Sequence, residues 1–192
     1  MRHKDETKVT AMYDAVIAIM VQEGTQNLSV AKIAKRANIS VATLYIYYQD
    51  KQDLLGHVYL RIKDMIDAEL FREWDEHATV EQQFKTVVSH YAKALRQHPQ
   101  EAVAMRLFNA TPNLIAAAVY QTGMARGLPI ERLFQRGVAE KTFRPVSFAL
   151  FTAFVFRPFD AACETKFRQG DRLSAEESRQ MLAMAWQASL AQ

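Results

Sequence analysis

Residues 39–51, which read ISVATLYIYYQDK, combine hydroxyl groups, small side chains and aromatic rings that can make polar and apolar contacts side by side. Three tyrosines surround Ile46, and the only charged side chains are the last two, Asp50 and Lys51. Such a stretch fits either a buried strand or a short helix with one face in a core and the other turned towards a partner. The distribution of its side chains decides between the two.

A helical placement of residues 41–48 separates these side chains into two faces. At about 100° per residue they divide into Val41, Leu44, Tyr45 and Tyr48 on one side and Ala42, Thr43, Ile46 and Tyr47 on the other. A strand would carry no charge on either face, and no second strand nearby offers pairing. We therefore predict a helix in which Tyr48 packs inward, Tyr47 points outward and Tyr45 lies at the border.

The residues before this helix predict two further helices. Apolar side chains recur at helical spacing from about Asp5 to Glu23. Ser29 is an N-cap for a short second helix, Asn38 tolerates the left-handed backbone of a tight turn, and Ser40 caps the helix that follows. Two short helices joined by a tight turn predict a helix-turn-helix, whose second short helix enters the DNA major groove.

The charge distribution of this region favours a nucleic acid as the partner. No acidic residue occurs from Gly24 to Gln49, whereas Lys32, Lys35 and Arg36 share one face of the second helix. These three are predicted to form a solvated basic face rather than to read bases. The helix N-termini of the region add backbone N–H groups of the kind that hold phosphates.

Composition and motifs exclude several other classes of protein. The net charge of +3 names no partner, and the single cysteine, Cys163, rules out an internal disulfide. The first eight residues predict no signal peptide, and the longest uncharged apolar run, residues 145–156, is shorter than the about 20 residues that a bilayer requires. We expect a cytoplasmic protein without a membrane partner. No metal-ligand spacing, phosphate-binding loop or catalytic motif is found, so we predict no metal, no cofactor and no enzyme activity.

The whole chain is predicted to be helical. Glycine and proline are scarce, with 6 and 5 residues, and they fall between periodic apolar segments rather than inside them. The fold class predicted from this pattern is all-α, with about nine helices.

Residues 28–55, LSVAKIAKRANISVATLYIYYQDKQDLL, resemble the DNA-binding domain of TetR-type (tetracycline-repressor-like) transcriptional regulators. That family has Thr or Ser before an Ile-Ala pair, then a turn, a Thr-Leu-Tyr motif followed by aromatic residues, a capping residue and lysine. The resemblance extends over about residues 5–58. The chain departs from the pattern at Asn38, Ala42 and Tyr48, where glycine, glycine and phenylalanine are common.

The resemblance implies a helix-turn-helix domain over residues 1–50 and a helical ligand-binding and dimerisation domain over residues 51–192. The DNA contacts that it implies are Ser29, Tyr47 and Lys51 with phosphates, Thr43 and Tyr45 with phosphate or base at the groove wall, Ala42 and Ile46 with thymine methyl groups, and Ser40 at the N-terminus of the reading helix. Two alternatives stay open: Tyr47 as an ordinary surface aromatic, and Ile46 packed against the second helix.

The C-terminal part predicts a dimer. Residues 147–163, SFALFTAFVFRPFDAAC, form a helix that is apolar all round and must be covered on more than one side. In the family that the chain resembles, the last two helices pair with those of a second subunit. Phe148 and Phe156 are therefore expected in a homodimer interface, with a core helix of a monomer as the alternative. Pro158 is expected to kink the helix because it lacks a backbone N–H.

The middle helices predict a small-molecule pocket, as the family resemblance implies. Its expected lining is mostly apolar with a few polar groups, as is usual for such sites: Tyr91, Met105, Phe108, Asn109, Asn113 and Tyr120. Core packing explains most of these side chains equally well.

These observations predict a sequence-specific transcriptional regulator, a repressor that an apolar or aromatic small molecule releases from a double-stranded DNA operator. Two alternatives are a helical small-molecule-binding protein without DNA regulation and an enzyme built in a helical bundle. The phosphate-contact residues argue against the first alternative, and the missing catalytic constellation argues against the second.

Overall fold

The computed structural model describes residues 5–191, apart from the side chain of Pro112. Within these residues the chain is helical, and its only extended pairing is an isolated antiparallel bridge between Phe143 and Leu190. The α-helices in chain order are α1 Glu6–Glu23, α2 Val30–Arg36, α3 Val41–Tyr47, α4 Lys51–Leu70, α5 Val80–Gln97, α6 Pro99–Ala110, α7 Ala117–Ala125, α8 Leu128–Ala139, α9 Phe148–Val155, α10 Arg157–Arg168 and α11 Ala175–Ser189. Short 3-10 helices span Thr25–Asn27 and Pro112–Leu114. The predicted all-α class is confirmed.

The described residues form eleven α-helices rather than the expected nine or so, and one of the additional helices arises because a long apolar segment is divided. The helix expected to run through residues 147–163 is broken at Phe156, which separates α9 from α10. Pro158 occupies the first turn of α10, where its missing N–H costs no helical hydrogen bond. The proline therefore begins a second helix at the place where a kink was predicted.

The described residues form two compact units. One contains the residues up to Lys63 together with Val103–Gly123, and the other contains Asp64–Ala102 together with the residues from Met124 onwards. Helices α4, α6 and α7 each contribute to both. The division into a DNA-binding domain over residues 1–50 and a ligand domain over residues 51–192 concerns function, and it stays a prediction.

The first unit is held by an apolar core beneath the three N-terminal helices. Met12 and Val16 of α1, Ile33 of α2 and Leu44 of α3 are all fully buried. Each buried aliphatic side chain of this size contributes about 1.5–3 kcal/mol to folding. Their burial fixes which faces of α2 and α3 remain outside.

A close helix contact in the same unit depends on a glycine. A Cβ added at Gly123 of α7 would lie 2.5 Å from a ring carbon of Tyr59, which is buried in α4. The Tyr59 ring also stacks on Tyr120, with 5.9 Å between the ring centroids. The N-terminal half of α4 is therefore packed against α7 by aromatic rings, and no larger residue fits at position 123.

The second unit is built around a cluster of aromatic rings. Phe84 of α5 lies 5.6 Å from Phe143 and 5.2 Å from Trp186 of α11, measured between ring centroids. Phe151 of α9 lies 5.1 Å from Phe143. Aromatic pairs at these separations stabilise a core by about 0.5–1.5 kcal/mol beyond the burial of their surface. Helices α5, α9 and α11 are thereby held together.

Candidate nucleic-acid interface

The first two helices of the motif begin at serine caps. The Ser29 hydroxyl accepts the backbone N–H of Lys32 at 3.3 Å, and the Ser40 hydroxyl accepts the N–H of Thr43 at 3.0 Å. Between the two helices, Asn38 adopts a φ of 54°, in the left-handed region that asparagine tolerates better than most residues. The turn is therefore short, and only three residues separate Ala37, the C-cap of α2, from Val41, the first residue of α3.

The outer face of α3 carries apolar and aromatic groups rather than charges. Ile46 is 66% exposed and Tyr45 is 52% exposed, whereas Leu44 and Tyr48 are buried. Ala42 is also exposed. Tyr45 therefore lies further outward than the border position expected for it. The exposure of Ile46 weakens the alternative in which it packs against the second helix.

Tyr47 joins the end of α3 to the start of α1. Its hydroxyl oxygen accepts the backbone N–H of Asp5 at 3.3 Å, and Asp5 is the N-cap of α1. The ring is half-buried rather than fully exposed. This contact holds the Tyr47 ring in one orientation at the C-terminal end of α3, and its role as a phosphate contact stays a prediction.

Lys51 begins α4 and has a partner within the protein. Its ammonium group donates to the backbone carbonyl of Leu28 at 3.3 Å, just before the Ser29 cap. An ammonium carries three N–H donors, so this hydrogen bond leaves two of them for a phosphate. Asp50 accepts the N–H of Asp53 at 2.8 Å, which caps the helix that Lys51 starts.

The basic face of α2 is partly neutralised by the end of α1. The ammonium of Lys32 lies 2.6 Å from the Glu23 carboxylate, and the guanidinium of Arg36 donates to the Gln22 amide at 2.9 Å. The segment without acidic residues begins at Gly24, one residue after Glu23, so this pairing of Lys32 was not predicted. Exposed ion pairs are worth about 0–1 kcal/mol, so Lys32 can leave Glu23 for a phosphate at little cost.

The residues predicted to line a ligand pocket divide between the two units. Met105, Phe108, Asn109, Asn113 and Tyr120 belong to the first unit, and Tyr91 belongs to the second. Met105 and Phe108 are buried, whereas Asn109 and Asn113 are exposed. Tyr91 donates its hydroxyl to the Asp160 carboxylate of α10, and burial raises the pKa of this tyrosine well above its ordinary value. The ligand role of all six stays a prediction.

The two phenylalanines predicted for the dimer interface face their own unit. Phe148 lies 5.7 Å from the ring of Phe134, and Phe156 lies 5.1 Å from the ring of Tyr91. Both are half-buried. The outward apolar surface of α9 is instead formed by Phe154, which is 63% exposed.

An apolar groove lies beside Phe154. It encloses about 380 Å³ between α9 and α11, and its lining includes Val146, Leu150 and Ala188. Leu150 is 45% exposed, and Met184 of α11 is 72% exposed. A sequence pattern that is apolar all round does not indicate which of its side chains face outward, and the packing of α9 on its own unit decides it.

Cys163 is buried, and burial raises the pKa of its thiol to about 11, which keeps it protonated at neutral pH.

Among residues 5–191, no group of three or more His, Cys, Asp or Glu side chains is placed to hold a metal ion. In the same part of the chain, no helix is long and apolar enough to cross a membrane.

Residues 13–58 match the family model described as bacterial regulatory proteins, tetR family. The matched segment contains α2, α3, both serine caps and the first residues of α4. The family match therefore falls on the helix-turn-helix whose geometry is described above.

Three curated relatives are similar to the chain over part of its length. An uncharacterized HTH-type transcriptional regulator of Haemophilus influenzae is 26% identical over 113 residues, 59% of this chain and 60% of the relative. The fatty acid metabolism regulator protein of Bacillus subtilis is 24% identical over 56% of this chain and 55% of the relative. The HTH-type transcriptional repressor KstR of Mycobacterium tuberculosis is 32% identical over 48% of this chain and 42% of the relative.

Solved structures share the fold over nearly the whole chain. A TetR family transcription regulator from Marinobacter aquaeolei VT8 is 23% identical, covers 100% of both chains and has a TM-score of 0.86. A putative tetR family transcription regulator from Shewanella sp. PV-4 is 19% identical, covers 96% of this chain and 99% of its own, and has a TM-score of 0.80. At these identities the likeness shows the fold.

Proposed function

We propose that this chain is a sequence-specific DNA-binding transcriptional regulator of the tetR family of bacterial regulatory proteins, whose family model matches residues 13–58. It binds double-stranded DNA in the cytoplasm and catalyses no reaction. The relatives that match it over about half of their length include repressors, and we propose repression here as well.

The observation that carries this proposal is the outer surface of α3. Ile46 and Tyr45 are exposed on a helix without charges, so they can approach base edges without desolvating an ion. The Ser29 and Ser40 caps flank this surface, and Tyr47 is fixed at its edge by the N–H of Asp5. An apolar centre with phosphate donors around it suits readout of thymine methyl groups in a major groove.

The experiment is a selection of bound sequences from a random pool of double-stranded DNA. We expect one enriched motif with two-fold symmetry, because a two-fold dimer presents two α3 helices to two half-sites. The affinity for that motif should fall steeply with salt, since phosphate contacts release counterions. Recovery of unrelated sequences with equal affinity would contradict sequence-specific binding.

We propose that the protein is a homodimer whose interface is the outward surface of α9 and α11. Phe154 and Leu150 support this assignment because they are exposed apolar side chains that line one groove, and the exposed Met184 lies one helical turn before Ala188, which also lines it. A soluble protein rarely leaves a contiguous apolar surface of this kind uncovered. In this proposal Phe148 and Phe156 hold α9 against its own unit through Phe134 and Tyr91, and they do not form the contact surface themselves.

We propose that an apolar or aromatic small molecule releases the protein from its operator. The aromatic contact of Tyr120 with Tyr59 supports this, because it connects one of the proposed ligand residues to α4, the helix that follows α3. A ligand that favours a dimer with mismatched half-site spacing would raise the melting temperature and weaken operator binding together, as linkage requires. A ligand that stabilises the protein and leaves operator affinity unchanged would contradict the coupling.

A further inference from the structure

A cleft of about 200 Å³ opens in the second unit between α8, the start of α5 and the segment that precedes α5. Its walls combine apolar surface with guanidinium groups, and its lining residues are Trp74, Glu76, Gln83, Pro129, Arg132, Leu133 and Arg136. None of them belongs to the DNA-binding surface or to the pocket proposed above. The cleft is therefore a separate feature of the protein.

Arg136 is the fixed part of this cleft. Its guanidinium donates to the Ala78 carbonyl at 2.8 Å, to the Glu76 carbonyl at 3.3 Å and to the Gln83 side-chain oxygen at 3.1 Å. Gln83 is buried and donates in turn to the carbonyl of Asp75. This hydrogen-bond network ties the segment before α5 to α8, so the walls of the cleft are held in place before any ligand arrives.

Arg132 lies one helical turn before Arg136 on α8 and is the group left for a ligand. Its side chain is exposed and makes no ion pair or hydrogen bond with any described residue. A guanidinium presents its donors as a planar fork that matches a carboxylate with two parallel hydrogen bonds. The Trp74 ring, Pro129 and Leu133 provide apolar surface in the same cleft.

From this arrangement we propose that the cleft binds a small monocarboxylate with a compact apolar or aromatic body, its carboxylate on Arg132 and its body against Trp74, Pro129 and Leu133. The volume sets the size of the ligand. Sites for drug-sized ligands enclose about 300–1,000 Å³, so this cleft holds a body of about one ring. Glu76 at the cleft opposes a second negative charge, which favours a monoanion over a dianion.

The experiment uses fluorescence, because the chain contains 2 tryptophans and one of them lines the cleft. In the Trp186→Phe variant the remaining tryptophan is Trp74, so a saturable change of emission on adding benzoate reports binding at this site. Calorimetric titration of the unmodified protein with benzoate gives the same dissociation constant and does not depend on that variant. Both measurements are made without DNA, so they stand or fall separately from the regulator function.

We expect Arg132→Gln to weaken benzoate binding about tenfold or more, since it removes a charge-assisted pair of hydrogen bonds. Arg179→Gln is the matched control, because Arg179 is an exposed arginine of α11 outside the cleft, and it should leave binding unchanged. Glu76→Gln should strengthen binding a few-fold by removing a like charge. Benzamide, which has the same body without the charge, should bind about tenfold more weakly.

Three results would overturn the proposal. Equal affinities for benzoate and benzamide would show that the guanidinium contributes nothing. Binding of inorganic phosphate as tight as that of benzoate would show an anion site that ignores the apolar wall. The absence of saturable benzoate binding in both the fluorescence and the calorimetric titration would show that no such site exists.

Discussion

Two surfaces of this protein expose apolar side chains to a similar degree, yet their surroundings differ. Ile46 on α3 is 66% exposed, and Phe154 on α9 is 63% exposed. Ile46 is accompanied by serine caps, tyrosine hydroxyls and the Lys51 ammonium, whereas Phe154 is accompanied by Leu150 and by the apolar groove. The surroundings of Ile46 suit DNA, a polyanion whose thymine bases carry methyl groups, and the surroundings of Phe154 suit another apolar protein surface. The exposure of an apolar side chain does not by itself identify its partner, whereas the polar or apolar groups around that side chain do.

The largest expected effect is on assembly. Phe154→Glu should convert the proposed dimer into monomers, because each two-fold interface loses the burial of two phenylalanines and gains two charges. Losing about 2 kcal/mol at each copy weakens association by about 10³-fold. Sedimentation velocity at several concentrations measures this. Ile46→Glu is the matched control, and this variant should remain a dimer while it loses DNA binding. If the unaltered protein sediments as a monomer at micromolar concentration, the proposed interface is wrong.

The next effect separates the outward phenylalanine from those that face inward. In a background made monomeric by Leu150→Glu, at another exposed position of the same groove, Phe148→Ala should lower the free energy of unfolding by about 2 kcal/mol, because it removes a half-buried ring packed on Phe134. Phe154→Ala in the same background should change it by less than about 0.5 kcal/mol, because the Phe154 ring is exposed in the monomer. Urea denaturation gives both values, and equal losses would mean that both rings are buried within one subunit.

Lys51→Ala tests the electrostatic part of the α3 surface. It should weaken binding to strong and weak DNA sites alike and lower the slope of log affinity against log salt by about one unit, since a phosphate contact carries no sequence information directly. Tyr47→Phe removes a neutral hydroxyl, so it should weaken binding with little change in that slope. If Lys51→Ala reorders the preference among DNA variants, its role as a phosphate contact is wrong.

A smaller effect tests whether Ile46 reads bases. Ile46→Ala should cost about 1 kcal/mol more on the preferred operator than on single-base variants, at the low end for a base-pair change. The measurement is the affinity for a panel of single-base operator variants at fixed salt. A uniform loss across the panel would show that Ile46 contributes area without discrimination, and that another side chain of α3 carries the readout.

The smallest expected effect is that of acidic pH on helix ends, and it distinguishes the N-terminus of α11 from the serine-capped N-termini of α2 and α3. The ion pair with Lys166 and the hydrogen bonds with Ser174 lower the pKa of Glu177, in the first turn of α11, to about 2. A lowered folded-state pKa stabilises the protein above the ordinary glutamate value near 4.5, and this contribution is lost as the pH falls towards 2. Hydrogen exchange of α11 amides should therefore accelerate between pH 5 and pH 3 by about a few-fold relative to intrinsic rates. The serine caps of α2 and α3 do not titrate, so those helices serve as the internal control.

Much of the DNA-binding region could be predicted from sequence because its determinants are local. The caps Ser29 and Ser40 act within three residues, and Asn38 sets its own backbone angle. The apolar period of α3 also places Tyr48 inward and Ile46 outward before any tertiary contact is considered. These features depend on neighbours a few positions away, which a sequence displays directly.

Contacts between distant residues could not be read in the same way. The Glu23–Lys32 pair and the bond from the Asp5 N–H to Tyr47 join positions 9 and 42 residues apart. Neither has a periodic or spacing signal, because both depend on how α1 crosses the motif.

For the apolar segment around residues 147–163, the sequence by itself determined that it must be covered on several sides, since a helix of this composition cannot face water all round. Only the tertiary structure decided that Phe148 and Phe156 turn towards Phe134 and Tyr91 while Phe154 turns outward. The physical reason is that the hydrophobic effect has no direction of its own. Burial is proportional to area, and the side chain that is buried is the one for which the neighbouring helices provide a complementary surface.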